Sequence, residues 1–245
     1  MNIIKLNAID STNSYLKMVA QKSTLENFTV VVANQQLFGR GQLGTTWVSD
    51  QGKNLTFSLL VRNSEFKIQD QFYLSMAVSL GLISALRDDV GMSLKIKWPN
   101  DILAEKHKLA GILIENVLKA TNIHYSIIGI GLNVNQEKFP SDIGNVTSLK
   151  KLTGKHFNSD ELLSKVVNSI KKQIEFIENK DFDSLKRKYL LELYKINTPS
   201  MFEDDKGAIF LGKIITVDEN GRLVIELENE KTRKFNLKEI KFASR

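Results

Sequence analysis

Apolar residues along this chain recur with two different periods, and the changes between them lay out the elements. Residues 29–33 read Thr-Val-Val-Val-Ala, β-branched and apolar, and open a strand predicted over 29–35. Further strand-like runs fall at 54–61, 94–98, 109–118 and 124–134. Helical spacing takes over at 71–87, where Phe72, Met76, Ser79, Leu80, Ile83 and Leu86 recur every three or four residues. The clearest amphipathic pattern spans 160–178. Leu162, Leu163, Val166, Val167, Ile170, Ile174 and Ile177 fall on one face, with Lys165, Lys171 and Lys172 largely off it. A first helix is predicted to follow Asp10-Ser11-Thr12-Asn13, whose short polar side chains can cap its free N–H groups. Another spans roughly 182–195. Hairpin-length connections mix with long helical excursions, which predicts an α+β fold: a mixed β-sheet flanked by helices. After Asn197-Thr198-Pro199 only short β-type runs remain, at 208–217, 222–226 and 232–237, with a turn at Asp218-Glu219-Asn220-Gly221. The expected division is a main domain over 1–194 and a small β-barrel or sandwich over 195–245.

Composition narrows the chemistry. Hydrophobic residues at 42% and charged residues at 25% are ordinary for a soluble globular protein of 245 residues. No apolar run approaches the ~18 residues of a membrane helix, so a cytoplasmic protein with no membrane partner is expected. The absence of cysteine excludes disulfides, thiolate metal sites and cysteine nucleophiles. With only His107, His124 and His156, no protein-built metal site is expected. The net charge of +6 favours anionic partners, and Lys231, Arg233, Lys234, Lys238, Lys241 and Arg245 concentrate it near the C-terminus. That run reads as solvated surface, since no nucleic-acid motif or interleaved aromatic pattern accompanies it.

Four segments carry candidate chemistry. Residues 39–44, Gly39-Arg40-Gly41-Gln42-Leu43-Gly44, have the G-x-G-x-x-G spacing of a dinucleotide fingerprint, with Glu65 near the offset of the ribose-binding acid. A fingerprint needs a helix opening at its third glycine; here turn formers follow, then another strand. A glycine loop that cradles phosphate or carboxylate oxygens, with Arg40 as a charged fork, fits better, and a simple tight turn is the alternative. Lys97-Trp98-Pro99-Asn100-Asp101 ends a strand in a rigid turn, with Asp101 either at a cleft rim or completing the turn. Lys108 begins a strongly apolar strand that contains Gly111, a costly residue there unless something approaches closely. Lys108 is a cleft charge if it points inward and ordinary surface if outward. Gly129 and Gly131 share a strand face with Asn133, leaving either a floor for a planar ligand or a site of close packing.

Together these segments resemble the biotin–protein ligases, in the form without an N-terminal DNA-binding domain. The resemblance rests on Ser11-Thr12-Asn13, Gln36, Gly39-Arg40-Gly41, Gly44 and Trp47. It continues through residues 97–101, 108–115 and 129–133 and into a small C-terminal SH3-like β-barrel. It implies an ATP-dependent ligase that activates biotin as biotinyl-5′-AMP, releasing pyrophosphate. Biotin then passes to a lysine of a biotin carboxyl carrier domain of a carboxylase. ATP with Mg²⁺ and biotin are the implied substrates, and a monomer or homodimer the implied state. By resemblance, Lys108, Arg40 and Asp101 are the catalytic set, with Asp101 orienting the carrier lysine. Ser11, Thr12, Asn13, Gln36, Gly39, Arg40, Gly41, Lys108, Gly111, Gly129 and Gly131 bind biotin. Arg40, Gly41, Gln42, Gly44, Trp47, Asn100, Lys108 and Asn133 bind ATP.

Two departures from the family pattern stand out. Many members continue the loop Gly-Arg-Gly with a second arginine, where this chain has Gln42, so weaker retention of the adenylate is implied. Some relatives carry an N-terminal helix-turn-helix and repress biotin operons. Only ten residues precede Ser11, so no specific DNA binding or repressor activity is expected. The competing readings are a lipoate–protein ligase or octanoyltransferase on the same fold, and a non-enzymatic nucleic-acid binder.

Overall fold

The computed structural model describes residues 2–62 and 66–243; Glu65 and Arg245 lie outside the described residues. The main sheet has seven strands: β1 (Ile3–Ile9), β2 (Val30–Gln36), β3 (Leu55–Val61), β4 (Leu94–Lys97), β5 (Asp101–Ala104), β6 (His107–Lys119) and β7 (Asn122–Leu132). Their spatial order is β1-β2-β3-β7-β6-β5-β4. β1 runs parallel to β2, and every other neighbouring pair is antiparallel. The sheet is therefore mixed, as the connection lengths predict.

Alternation sorts each strand between two faces. Leu55, Phe57, Leu59 and Val61 of β3, Ile128 and Ile130 of β7, and Ala110 and Ile112 of β6 enter the main hydrophobic cluster. On that face lie α2 (Gln71–Val90), α4 (Ser159–Glu178) and α5 (Phe182–Glu192), with the short α3 (Leu149–Thr153) beside them. α2 is buried around much of its girth because it touches both the sheet and α4. On the opposite face, Leu60, Tyr125, Ile127 and Val31 meet Leu16 and Ala20 of α1 (Thr12–Lys22) in a smaller cluster. α1 covers only that end of the face. Beyond its body the strands present Thr56, Ser58, Gly111, Leu113, Gly129 and Gly131; only the first residues of α1, Thr12 and Asn13, reach over Ser58 and Gly129.

Five strands, β8 (Pro199–Asp204), β9 (Ile209–Val217), β10 (Leu223–Leu227), β11 (Thr232–Phe235) and β12 (Ile240–Phe242), make a second, antiparallel sheet in the order β11-β10-β9-β8-β12. This arrangement is consistent with the SH3-like unit expected; among the described residues no ladder joins β11 to β12. Phe202, Ile214, Val217, Leu223, Ile225 and Phe235 belong to the same hydrophobic cluster as the main sheet. Trp98 Nε1 donates to the Gly221 carbonyl at 2.9 Å, and Tyr194 N donates to the Ile96 carbonyl at 2.8 Å. The second sheet is thereby fixed beside the bare face of the first.

The structure adds elements that the hydrophobic pattern did not disclose. β1 places Ile3 beside Ile4 and so breaks strict alternation, which an edge strand tolerates. Pro199 is the first residue of β8, a position that suits a residue with no N–H to give. β5 and β12 are four and three residues long, too short to show a period. α5 ends at Glu192, three residues before the predicted limit.

Gly81 marks where α2 and α4 come closest. A Cβ there would sit 2.7 Å from the Ile170 Cα, a backbone atom that cannot step aside. Alanine favours a helix by about 1 kcal/mol over glycine, but overpacking a core costs about 1–3 kcal/mol. Gly81→Ala is expected to lower stability by about 1–2 kcal/mol, a fall in Tm of roughly 3–6 °C for this size. A melting temperature at or above wild type contradicts this account of the contact.

Candidate functional site

A cavity of about 920 Å³ opens between the bare face of the main sheet and the second sheet, within the range of sites for drug-sized ligands. Of the residues singled out in the sequence, Ser11, Thr12, Asn13, Gln36, Arg40, Gly41, Gln42, Trp47, Asn100, Asp101, Lys108, Gly111, Gly129 and Gly131 line it. Gly39, Gly44 and Asn133 do not.

At one end lies a buried polar cluster. Gln36 Oε1 accepts from Thr12 N at 2.8 Å and from Thr12 Oγ1 at 3.0 Å. The Ser58 hydroxyl stands 2.7 Å from Thr12 Oγ1 and 2.6 Å from Asn13 Oδ1, one donor shared between two acceptors. Asn13 Nδ2 donates to the Leu113 carbonyl at 3.3 Å and to Glu115 Oε2 at 2.8 Å. Both of those partners only accept, which fixes the orientation of the amide. The expected helix capping is not made here: Ser11 occupies the N-cap of α1 with no side-chain cap bond. These side chains bond across to β2 and β3 instead. Among the described residues neither the Ser11 hydroxyl nor Gln36 Nε2 has a protein partner, and both residues line the cavity. An incoming polar ligand therefore finds an unclaimed hydroxyl and an unclaimed amide N–H.

The glycine rows make room for this cluster. Gly129 lies opposite Ser58 on one side and Leu113 on the other. A Cβ on Gly129 would stand 2.5 Å from Asn13 Oδ1, inside contact distance. Gly131 lies opposite Gly111, and the Trp47 ring covers both: a Cβ on Gly131 would collide with the indole, and one on Gly111 would reach it at 3.1 Å. Of the two readings left open in the sequence, a ligand floor or close packing, the structure shows close packing: the planar group resting on the glycines is the Trp47 ring, whose buried Nε1 has no hydrogen-bond partner among the described residues.

Lys108 points inward because the strand is bulged. In the β5–β6 ladder Ile102 pairs with Ala110 and Leu103 with Lys108, so Leu109 is the extra residue. Strict alternation would put Lys108 on the face opposite Gly111. The bulge reverses its side, as bulges do when they re-aim a side chain. Its Nζ comes 2.7 Å from Asp101 Oδ1 and 5.6 Å from the centroid of the Trp47 ring. Asn100 bonds Ile112 in both directions, Nδ2 to O at 2.8 Å and O from N at 3.0 Å, and so pins the turn before Asp101.

Residues 39–47 form a tight hairpin rather than an open phosphate cradle. Gly41 N donates to Thr45 O at 2.7 Å, Thr45 N to Gln42 O at 3.1 Å and Trp47 N to Gly39 O at 3.0 Å, so three of its N–H groups are already used. Side chains at Gly39 or Gly41 would meet Trp47 O or Thr45 Oγ1 across it. No helix opens at Gly44, and the chain proceeds to β3, which removes the dinucleotide reading. Arg40 pairs with Glu115 at 2.6 Å. On the other side, Lys238 Nζ donates to the Leu43 carbonyl at 2.9 Å, tying the hairpin to the second sheet.

Asn133 is buried, with Nδ2 bonded to the Thr147 carbonyl at 3.0 Å and its N–H to Leu109 O at 2.9 Å. It braces the end of β7 and is not at the cavity wall. Two polar contributors went unread in the sequence, Ser58 and Glu115. Period-two counting finds the second, since 111, 113 and 115 share one face of β6. Of the C-terminal basic run, Arg233, Lys234 and Lys241 pair with Asp204, Asp218 and Glu203. Asp204, at the cavity rim, is held below the usual carboxylate range by the Ala208 N–H foremost, then by the Lys206 N–H and Arg233. Among the described residues no group of three or more His, Asp or Glu side chains could hold a metal ion, and no helix is long and apolar enough to cross a membrane.

Comparison with known proteins agrees with this architecture. The model of the biotin/lipoate A/B protein ligase family matches residues 6–133, just over half of the chain. The bifunctional ligase/repressor BirA of Bacillus spizizenii is 28% identical over 231 residues, covering 93% of this chain and 70% of its own. The biotin–[acetyl-CoA-carboxylase] ligase of Mycobacterium tuberculosis is 27% identical over 221 residues, covering 89% and 80%. Among solved structures, a biotin protein ligase from Aquifex aeolicus in complex with biotin and ATP superposes with a TM-score of 0.82. It is 28% identical, with 99% of each chain covered.

The glycine floor makes a spectroscopic prediction. In a Trp98→Phe background, which leaves Trp47 as the sole indole, Gly131→Ala is expected to lift the ring off the sheet. Its emission should shift to the red and its quenching by acrylamide should rise. Unchanged emission and quenching contradict the stacking of Trp47 on Gly131.

Proposed function

The chain belongs to the biotin/lipoate A/B protein ligase family and is a ligase, and we propose that it is an ATP-dependent biotin–protein ligase. In this reading it condenses biotin with ATP to biotinyl-5′-AMP and pyrophosphate, then transfers biotin to a lysine of a biotin carboxyl carrier domain. The buried polar cluster at one end of the cavity carries the choice of biotin. A ureido ring brings one carbonyl and two N–H groups, and Ser11, Thr12, Asn13 and Gln36 offer matching donors and acceptors. A lipoyl or octanoyl chain has no such groups and would leave the Ser11 hydroxyl and Gln36 Nε2 desolvated and unpaired, which is disfavoured.

The rest of the cavity suits an adenylate. The first step sets the biotin carboxylate against the α-phosphate, two anions that repel until positive charge neutralises them. Lys108 and Arg40 both line the cavity and supply that charge. The carboxylate oxygen bonds to phosphorus, and pyrophosphate leaves. Trp47 and the 39–47 hairpin line the nucleotide and limit the access of water to the mixed anhydride. In the second step the carrier amine attacks the acyl carbon and AMP departs. A lysine amine has an ordinary pKa of about 10.4, so it arrives protonated and needs an acceptor. Asp101 is assigned that role, which it takes up once Lys108 turns from it to the ligand; its present pairing with Lys108 at 2.7 Å supports the assignment. Magnesium enters only as the counter-ion of the nucleotide's phosphates. Asn133, buried behind β7, is assigned a supporting part rather than a contact with ATP.

With biotin, ATP, Mg²⁺ and a carrier domain, the protein is expected to release pyrophosphate only when biotin is present and to raise the carrier's mass by one biotinyl group. No biotin-dependent pyrophosphate contradicts the proposal. Removing a preorganised charge from such a step costs about a hundredfold or more. Lys108→Ala should therefore slow adenylation by at least that factor with an unchanged melting curve, and wild-type turnover would take Lys108 out of its role. Gln42→Arg should slow the loss of bound biotinyl-5′-AMP. An unchanged release rate contradicts the account of the less charged loop.

A further inference from the structure

One carboxylate oxygen joins the two halves of the cavity. Glu115 Oε2 accepts from Asn13 Nδ2 at 2.8 Å and from Arg40 Nη2 at 2.6 Å. Asn13 belongs to the polar cluster at one end of the cavity and Arg40 to the 39–47 hairpin, and both line it. Glu115 does not itself line the cavity, and it reaches both residues from the same face of β6 as Gly111 and Leu113, two positions along from Leu113. Its side chain is 23% exposed and that of Arg40 45%.

We infer that Glu115 is a positioning residue, which anchors the Arg40 guanidinium by one corner and ties its placement to the Asn13 amide. The inference rests on the reading of this cavity as a biotin and ATP site. Arg40 has five N–H donors in a rigid fork. Among the described residues its guanidinium has Glu115 as its sole partner. The remaining donors stay available to an anion in the cavity that Arg40 lines. Without an anchor, an arginine on an exposed hairpin samples many rotamers and must be ordered at the moment of binding. A charge-assisted bond to a strand residue removes much of that cost in advance.

The same oxygen gives a line of contact between sites. Asn13 is held by Ser58 and Leu113 as well as by Glu115, so its position does not depend on the carboxylate alone. Arg40 has no such redundancy. Loss of the charge on Glu115 should therefore loosen Arg40 and leave Asn13 in place, whereas loss of the whole side chain should disturb both. That asymmetry separates positioning from general stability.

Two variants test this. Glu115→Gln keeps the shape and an acceptor for Asn13 but loses the charge; Glu115→Ala loses both. A partly exposed ion pair is worth roughly a fivefold change in an equilibrium. Glu115→Gln is expected to raise the KM for ATP in biotin-dependent pyrophosphate release about fivefold, with the Kd for biotin, measured by calorimetry, within about twofold of wild type. Glu115→Ala is expected to weaken both ligands. A second readout needs no substrate. Limited trypsin digestion, mapped by mass spectrometry, should cut after Arg40 about fivefold faster in Glu115→Gln, with other sites unchanged. Wild-type cleavage after Arg40 in Glu115→Gln overturns the anchor, and equal weakening of biotin and ATP by that variant overturns the selective positioning. A wild-type protein that releases no biotin-dependent pyrophosphate contradicts the proposed function, and the cleavage comparison then decides the anchor alone.

Discussion

The register of β6 against β7 is the constraint on which the site depends. It sets Gly111 opposite Gly131 and Leu113 opposite Gly129, so a patch of one sheet face has almost no side chains. A sheet face stripped of side chains is a liability, because it gives up packing and leaves backbone to solvent. Here the space is taken by groups from elsewhere in the chain. Asn13 descends on Gly129 from the start of α1, and the Trp47 ring descends on Gly131 and Gly111 from the hairpin. Shifting that register by one residue would turn the isoleucines of β7 into the cavity and the glycines into the core. The cavity and the polar cluster at its end follow from this single alignment.

Other features serve to bring charge to that patch. The bulge at Leu109 turns Lys108 toward the glycines and toward Asp101. The β4–β5 turn, pinned by Asn100 on Ile112, sets Asp101 beside it. From the far side the second sheet closes the cavity and grips the hairpin through Lys238. Cations are thus held by carboxylates or carbonyls at the rim, and the mostly apolar sheet lies behind them.

Much of this was legible in the sequence, for identifiable reasons. Long periodic segments such as α4 and the two central strands announce themselves, because one buried face repeats over many residues. The glycine pairs also announce themselves, since glycine in a strand needs a cause. Orientation at a bulge is not legible: nothing in Lys108-Leu109-Ala110 says which residue is the extra one, so the direction of Lys108 stayed open. The helix cap was misread because Ser11, Thr12 and Asn13 have the composition of a cap and use it across the sheet instead. Ser58 was missed because its importance lies in what stands opposite it, and that is held in strand pairing rather than in any local motif. Glu115 shares a face with Gly111 and Leu113 by simple alternation, but nothing local says that Asn13 and Arg40 meet it there. Short strands such as β5 and β12 carry too few residues to show a period.

The central claim is that the polar end of the cavity and its charged rim hold the two ends of a single adenylated ligand. A crystal structure with a non-hydrolysable biotinyl-5′-AMP analogue tests it most directly. The account predicts the ureido ring against Ser11, Thr12 and Gln36, the acyl-phosphate linkage within hydrogen-bond reach of Lys108 and Arg40, and the nucleotide beside Trp47. A ligand bound with its ureido ring away from that cluster, or with Lys108 still paired to Asp101 and remote from the linkage, would contradict it.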